Sequence, residues 1–161
     1  MRKLIVILVL VSQVVFGQKP SKANAIILAY AEQNLGKKVG NGVCRTLTNE
    51  AVYEYRNAKN KNTKKVDFGG TTPGLKIKDI KNANGGDFIG FENIIVDKGY
   101  FLRDMESHIG IVKSVDEEKV VYYNQNVLKE NQTTKKHSKV QIDTIFFKNV
   151  VCGEMSIYRI Y

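Results

Sequence analysis

The chain has 161 residues, 43% of them hydrophobic, which is enough for one domain with its own core. Two cysteines in that length do not make a disulfide scaffold, so packing must carry the fold. A formal charge of +9 draws an exported chain to anionic polymers such as cell wall, acidic glycan or nucleic acid, or serves solubility alone, and charge does not choose among these.

The opening, MRKLIVILVLVSQVVFGQ, has basic Arg2 and Lys3 and an apolar run from Leu4 to Phe16. Gly17 stands where a signal peptidase would cut, with Val15 two residues before it. This is the pattern of a secretory signal, with an uncleaved anchor as the rival reading; the run is short for a membrane span. No cysteine follows it, which argues against a lipid anchor. The expected organisation is a signal peptide over 1–17 and a single domain over 18–161, secreted or periplasmic. Loss of 1–17 removes Arg2 and Lys3 and no acid, which leaves +7.

SKANAIILAYAEQNLGKK reads as a helix capped by Ser21, with Ile27, Tyr30, Ala31 and Leu35 at helical spacing and Gly36 as a stop. KKVGNG then turns tightly on its two glycines and Asn41. VCRTLTNEAVYEYRNA reads as a second helix with Cys44, Leu47, Ala51 and Tyr55 on one face. Cys44 thus falls in its first turn, where unsatisfied N–H groups and the positive end of the helix dipole favour thiolate. From Lys59 to Gly86 the chain is polar and basic and reads as an insertion with little regular structure, its lysines forming a solvated surface. Strands follow: DFIGFEN, then HIGIVKSV and KVVYYNQN as a hairpin across DEE, then KVQIDTIFF and EMSIYRIY. Helices first and an antiparallel sheet after is the α+β pattern. NQT at Asn131 is a glycosylation sequon that carries little weight, and His137 in TTKKHSK reads as exposed and without a role.

Period two places His108, Gly110 and Val112 on one face of their strand, and Val120, Tyr122, Asn124 and Asn126 on one face of the next. In a tight hairpin the start of the first strand lies near the end of the second, so His108 and Asn124 can be neighbours. A carboxamide oxygen can fix the imidazole tautomer and leave the other nitrogen for a thiol. With Cys44 opposite, that makes a nucleophile, a base and an orienting group. Each residue also has a plainer reading: His108 as a strand-edge histidine bonded to backbone, Cys44 as a small buried apolar residue, Asn124 and Asn126 as turn residues closing the strand.

The order of motifs adds a resemblance. LGKKVGNGVCRTLTNEA resembles the nucleophile segment of CHAP domains, the cysteine, histidine-dependent amidohydrolases/peptidases of the papain-like superfamily. GGDFIGFEN resembles their glycine-aspartate turn, SHIGIVKSV the strand opening with the catalytic histidine, and VVYYNQNV the strand ending in an acid, amide or histidine, then Gln, then Asn. The resemblance covers most of residues 24 to 128. It implies N-terminal helices packed on a small antiparallel sheet, with Cys44 as nucleophile, His108 as general base, Asn124 as orienting group and Asn126 in support. The oxyanion donors would be the Cys44 N–H and a group of the GNG loop, with Asn41 as candidate. Arg45 stands where the family has an aromatic residue, and Asn124 is neutral where the family often has an acid. Some relatives bind calcium through an aspartate-rich loop before the cysteine; KKVGNG has no acid there, so no metal or other cofactor is expected.

The activity so implied is amide hydrolysis, and for a basic exported chain peptidoglycan is the expected substrate. The rival is an inactive module of the same fold that binds wall or acidic glycan, which a Cys44–Cys152 disulfide would favour. A free Cys44 is the preferred expectation, with Cys152 buried near the last strand. Nucleic acid is not an expected partner, because the lysines lack interleaved aromatics.

Overall fold

The computed structural model describes residues 20–60, 64–65, 68, 72–99, 102–128 and 136–161. The expected signal segment, the Asn131 sequon and the side chain of His137 lie outside them. Among the described residues no helix is long and apolar enough to cross a membrane.

Two helices precede the sheet, as the sequence pattern predicts. Helix α1 (Lys22–Gln33) begins at Ser21, whose side chain accepts from the Asn24 N–H. It ends one residue before Asn34, so Leu35 is not helical as expected: it forms a bridge to Val140 and is half exposed. Helix α2 (Cys44–Lys59) buries Leu47, Thr48, Ala51, Val52 and Tyr55.

The strands are β1 (Leu75–Ile77), β2 (Phe88–Asp97), β3 (Leu102–Val115), β4 (Lys119–Asn124), β5 (Val127–Leu128), β6 (Lys136–His137), β7 (Gln141–Phe146) and β8 (Val150–Arg159). Six of them form an antiparallel sheet in the order β1-β8-β2-β3-β4-β7, and β5 pairs with β6 apart from it. The α+β class and the helices-on-sheet architecture are therefore present. The segment 59–86 is more regular than expected. Within it β1 pairs along β8, a short 3₁₀ turn covers Ile80–Asn82, and Ala83 is buried. Three of its lysines pair across the surface, Lys65 with Glu50 and Lys76 with Glu154 at 2.7 Å each, and Lys81 with Glu117.

The sheet is buried on both faces. One core joins Ile27 and Ala31 of α1 and Leu47 and Ala51 of α2 to Phe88, Ile111 and Tyr123 of the sheet. A second core, on the other face, gathers Ile89, Phe91, Val112, Tyr122, Ile145 and Ile157. The strand entering this sheet is locked at Gly86 and Asp87. The Gly86 φ of +90° is left-handed, and a Cβ there would collide with the Asn24 carbonyl oxygen, so only glycine fits. Asp87 is fully buried; its carboxylate accepts from Asn24 Nδ2 (2.7 Å), the Asn84 N–H (2.7 Å), and Arg159 Nε (2.9 Å) and Nη2 (2.7 Å). One carboxylate thus ties α1, the start of β2 and the end of β8 together.

A second polar cluster joins Arg103, Tyr122 and Asp143. Arg103 Nη1 donates to Asp143 Oδ2, the Tyr122 hydroxyl donates to the same oxygen at 3.4 Å, and Lys98 Nζ lies 3.7 Å from Oδ1. Burial alone would raise the Asp143 carboxyl. The Arg103 charge and hydrogen bond, with Lys98 and the Thr144 N–H, outweigh it and hold the carboxyl below the ordinary carboxylate range. A carboxyl depressed on folding stabilises above its unfolded value, about pH 4, and loses that contribution as pH falls through the folded value. Urea midpoints measured downward from about pH 4 should therefore fall less steeply for Asp143→Asn than for wild type; equal slopes would remove Asp143 from the acid sensitivity.

Candidate active site

Cys44 is the first residue of α2, and both helix and loop explain its position. The N-cap, Val43, has no side-chain cap, so the N–H groups of the first turn are not taken by a capping side chain. Asn41 holds the loop instead: its Oδ1 accepts from the Val43 N–H at 3.1 Å and the Thr46 hydroxyl at 3.0 Å. Its oxygen is thus engaged in shaping the turn, and only its amide N–H groups are left for an oxyanion. The Cys44 thiol is free and half-buried. It borders a narrow groove of about 70 Å3 together with Arg45, Gly90, Ser107, His108 and Tyr158. A Cβ at Gly90 would meet Thr72 Oγ1 at 3.3 Å, a tight contact on the groove wall.

His108 is in β3, 8% exposed, and pairs directly with Phe91 of β2. Its ring stacks on Phe91 with centroids 6.0 Å apart and 25° between planes. Directly paired residues project to the same face, and Phe91 belongs to the core turned away from the helices. The imidazole therefore leaves β3 on the face opposite α2, while its residue borders the groove that Cys44 opens into. The structure brings Cys44 and His108 to one cavity wall but does not set the ring in front of the sulfur.

Asn124 ends β4, fully buried, on the face of Tyr122 and hence of His108. Neither its Oδ1 nor its Nδ2 has a partner among the described residues. Asn126 has a left-handed φ of +66° and shares with His108 the lining of a second cavity, of about 320 Å3, beside Met105 and Glu106. His108 and Asn124 thus share one sheet face, as the period-two pattern implies, while Asn126 lies beyond the end of β4 and meets His108 only at the second cavity. Cys44 and Asn41 lie on the other side.

Gln125, to which the sequence pattern gave no role, links the two sides. It is fully buried; its Oε1 accepts from the Val39 N–H at 3.2 Å, and its Nε2 donates to the Val39 carbonyl (3.1 Å), the Val43 carbonyl (2.7 Å) and Thr46 Oγ1 (3.1 Å). Its signal was the period itself: between two residues on one face, it must face the other.

Cys152 is a free thiol as well and is exposed on β8, not buried as expected; its Sγ lies 4.0 Å from the Asn93 carbonyl oxygen. It sits four strand residues from Ser156, which borders the Cys44 groove, or about 13 Å at the rise of a strand. Among the described residues no group of three or more His, Cys, Asp or Glu side chains could hold a metal.

This arrangement can be set against known proteins. No curated protein matches the chain. Among solved structures, Ly7917 superposes with a TM-score of 0.46 at 16% identity, and Ly7917 "with the hydrolyzing product of MDP" with 0.49 at 14% identity. Each alignment covers 84% of this chain, which spans 62% of the length of that one. The family model for the AIM3/BBC1 cysteine proteinase-fold domain matches residues 18–161. The expected papain-like, cysteine-proteinase architecture therefore stands, and the resemblance to CHAP domains stands only at the level of that shared fold. The chain belongs to the AIM3/BBC1 cysteine proteinase-fold domain family.

Proposed function

We propose that the chain is exported and is a thiol-dependent hydrolase cutting amide bonds of peptidoglycan, with Cys44 as nucleophile. The observation that carries this reading is a half-buried free thiol on the uncapped first turn of a core-packed helix, opening into a groove. His108 would take the thiol proton. The sulfur then adds to the amide carbonyl, and first-turn N–H groups hold the oxyanion. The imidazolium protonates the leaving amine, and water releases the acyl group from sulfur. Asn124 would orient the imidazole, with Asn126 in support. The His108 ring rests on the far face of β3 against Phe91, so the dyad requires a local shift of β3 that turns residue 108 toward the groove, not a rotamer change alone. The apolar segment over 1–17 and the net positive charge suit an anionic polymer outside the membrane as substrate.

The test is digestion of purified cell wall. Wild type should release new amines, and Cys44→Ala should do so at least about 10³-fold more slowly. Identical traces from the two proteins would end the proposal.

One observation favours a second reading. With its ring on the far face against Phe91, His108 is placed as a core residue, which fits a member of the fold that binds wall or acidic glycan without cutting it. That reading predicts salt-sensitive retention on cell wall, equal for wild type and Cys44→Ala, with no fragments from either.

A further inference from the structure

We infer that Gln125 is the positioning residue of the nucleophile loop: its carboxamide fixes both ends of the segment 39–43 and thereby the direction in which Cys44 leaves the first turn of α2. This deepens the hydrolase reading, on which its consequence for turnover rests; its consequence for thiol reactivity does not.

The loop needs an outside anchor. It carries two glycines in the left-handed region, Gly40 at φ +55° and Gly42 at φ +86°, and a glycine-rich segment gives up the most conformational freedom when it is fixed. Within it the Gly42 N–H reaches the Val39 carbonyl at 3.0 Å, and Asn41 Oδ1 reaches the Val43 N–H. Those bonds shape the turn but do not attach it to the sheet. Gln125 does, from the end of β4, by accepting from Val39 and donating to Val39, Val43 and Thr46.

Only a primary amide of this length fits that set of partners. An ionised carboxylate would turn acceptor oxygens toward two carbonyls, and a thioether would leave one N–H and two carbonyls without this partner. The placement also makes the tripeptide Asn124-Gln125-Asn126 a hinge point of the site. Its middle residue governs the thiol side of the sheet. Asn124, its neighbour, lies on the imidazole side.

The test uses the two free thiols of the full chain. Cys152, exposed on β8, serves as internal reference for iodoacetamide labelling of Cys44. In Gln125→Met, folded as judged by circular dichroism, the ratio of Cys44 to Cys152 labelling should fall roughly tenfold, because the sulfur loses its set direction beside the first-turn N–H groups. A loop that was merely clamped would open, and the ratio would rise; a rise or no change overturns the inference. Should Gln125→Met not fold, Thr46→Val decides. It deletes one acceptor of Nε2, together with the hydroxyl's own contacts to Asn41 Oδ1 and the Val39 and Val43 carbonyls, and leaves the buried amide in place, for an expected fall of about twofold to threefold that Thr46→Ser restores. An unchanged ratio in Thr46→Val then overturns the inference. Where wild type digests wall, Gln125→Met should lower kcat with KM nearly unchanged. A wild type that digests nothing sinks the hydrolase reading, while the labelling ratio still judges Gln125.

Discussion

His108→Phe is expected to fold and to lose amide hydrolysis by about 10²–10⁴-fold, the usual contribution of a positioned general base. The fold should survive because the ring is 8% exposed and stacked on Phe91 6.0 Å away, where a phenyl has nearly the same shape. Loss of the imidazole's polar contacts should cost about 1–3 kcal/mol. The same preparation is read twice, by thermal unfolding and by amine release from cell wall. A variant that hydrolyses at the wild-type rate removes His108 from the chemistry and leaves it as a core residue. A variant that melts near wild type and is inactive shows that the imidazole acts on the substrate side in spite of its resting stack. The measurement therefore separates the two functional readings at the residue where they differ.

The point at which sequence reasoning stops has a physical cause in the same strand. Period two says that His108, Gly110 and Val112 share a face with Tyr122 and Asn124, and they do. It does not say which face the helices cover. Ile109, Gly110, Ile111 and Val112 are all buried, because this sheet has a core on either side, so no polar alternation marks the outside. The helices were legible for the opposite reason: each has one buried stripe, Ile27 and Ala31 in α1 and Leu47, Ala51 and Tyr55 in α2, against exposed polar neighbours. Arg103, Asp104 and Glu106 hid the outer half of β3, since charged residues read as loop; Arg103 is buried there only because Asp143, distant in sequence, neutralises it. Cys152 misled in a similar way, an apolar-looking thiol on a strand whose pattern there is exposed. Gln125 was visible as part of a motif, but its partners lie more than 75 residues away in a loop, beyond the reach of any local pattern.

Arg159→Met is expected to be the most damaging change outside the site, at about 3–5 kcal/mol, the cost of leaving a buried charge without its partner. Asp87 is wholly buried and Arg159 is nearly so, so water cannot take over the lost hydrogen bonds. For a chain of this size the loss corresponds to a fall in Tm on the order of 10 °C. Adding Asp87→Leu removes the stranded charge and should recover part of the loss, but not all of it. Asn24 Nδ2 and the Asn84 N–H also depend on that carboxylate and would be stranded in turn. The double-variant cycle, read by urea unfolding, should thus give a coupling energy smaller than either single cost. If Arg159→Met costs less than about 1 kcal/mol, the value of an exposed pair, then the end of β8 is held by its strand pairing with β2 and not by this ion pair. The catalytic consequence differs from that of His108→Phe. Gly90 and Ser156 of the groove lie on β2 and β8, which the Asp87–Arg159 pair ties together at one end, so hydrolysis should decline only in step with the folded fraction.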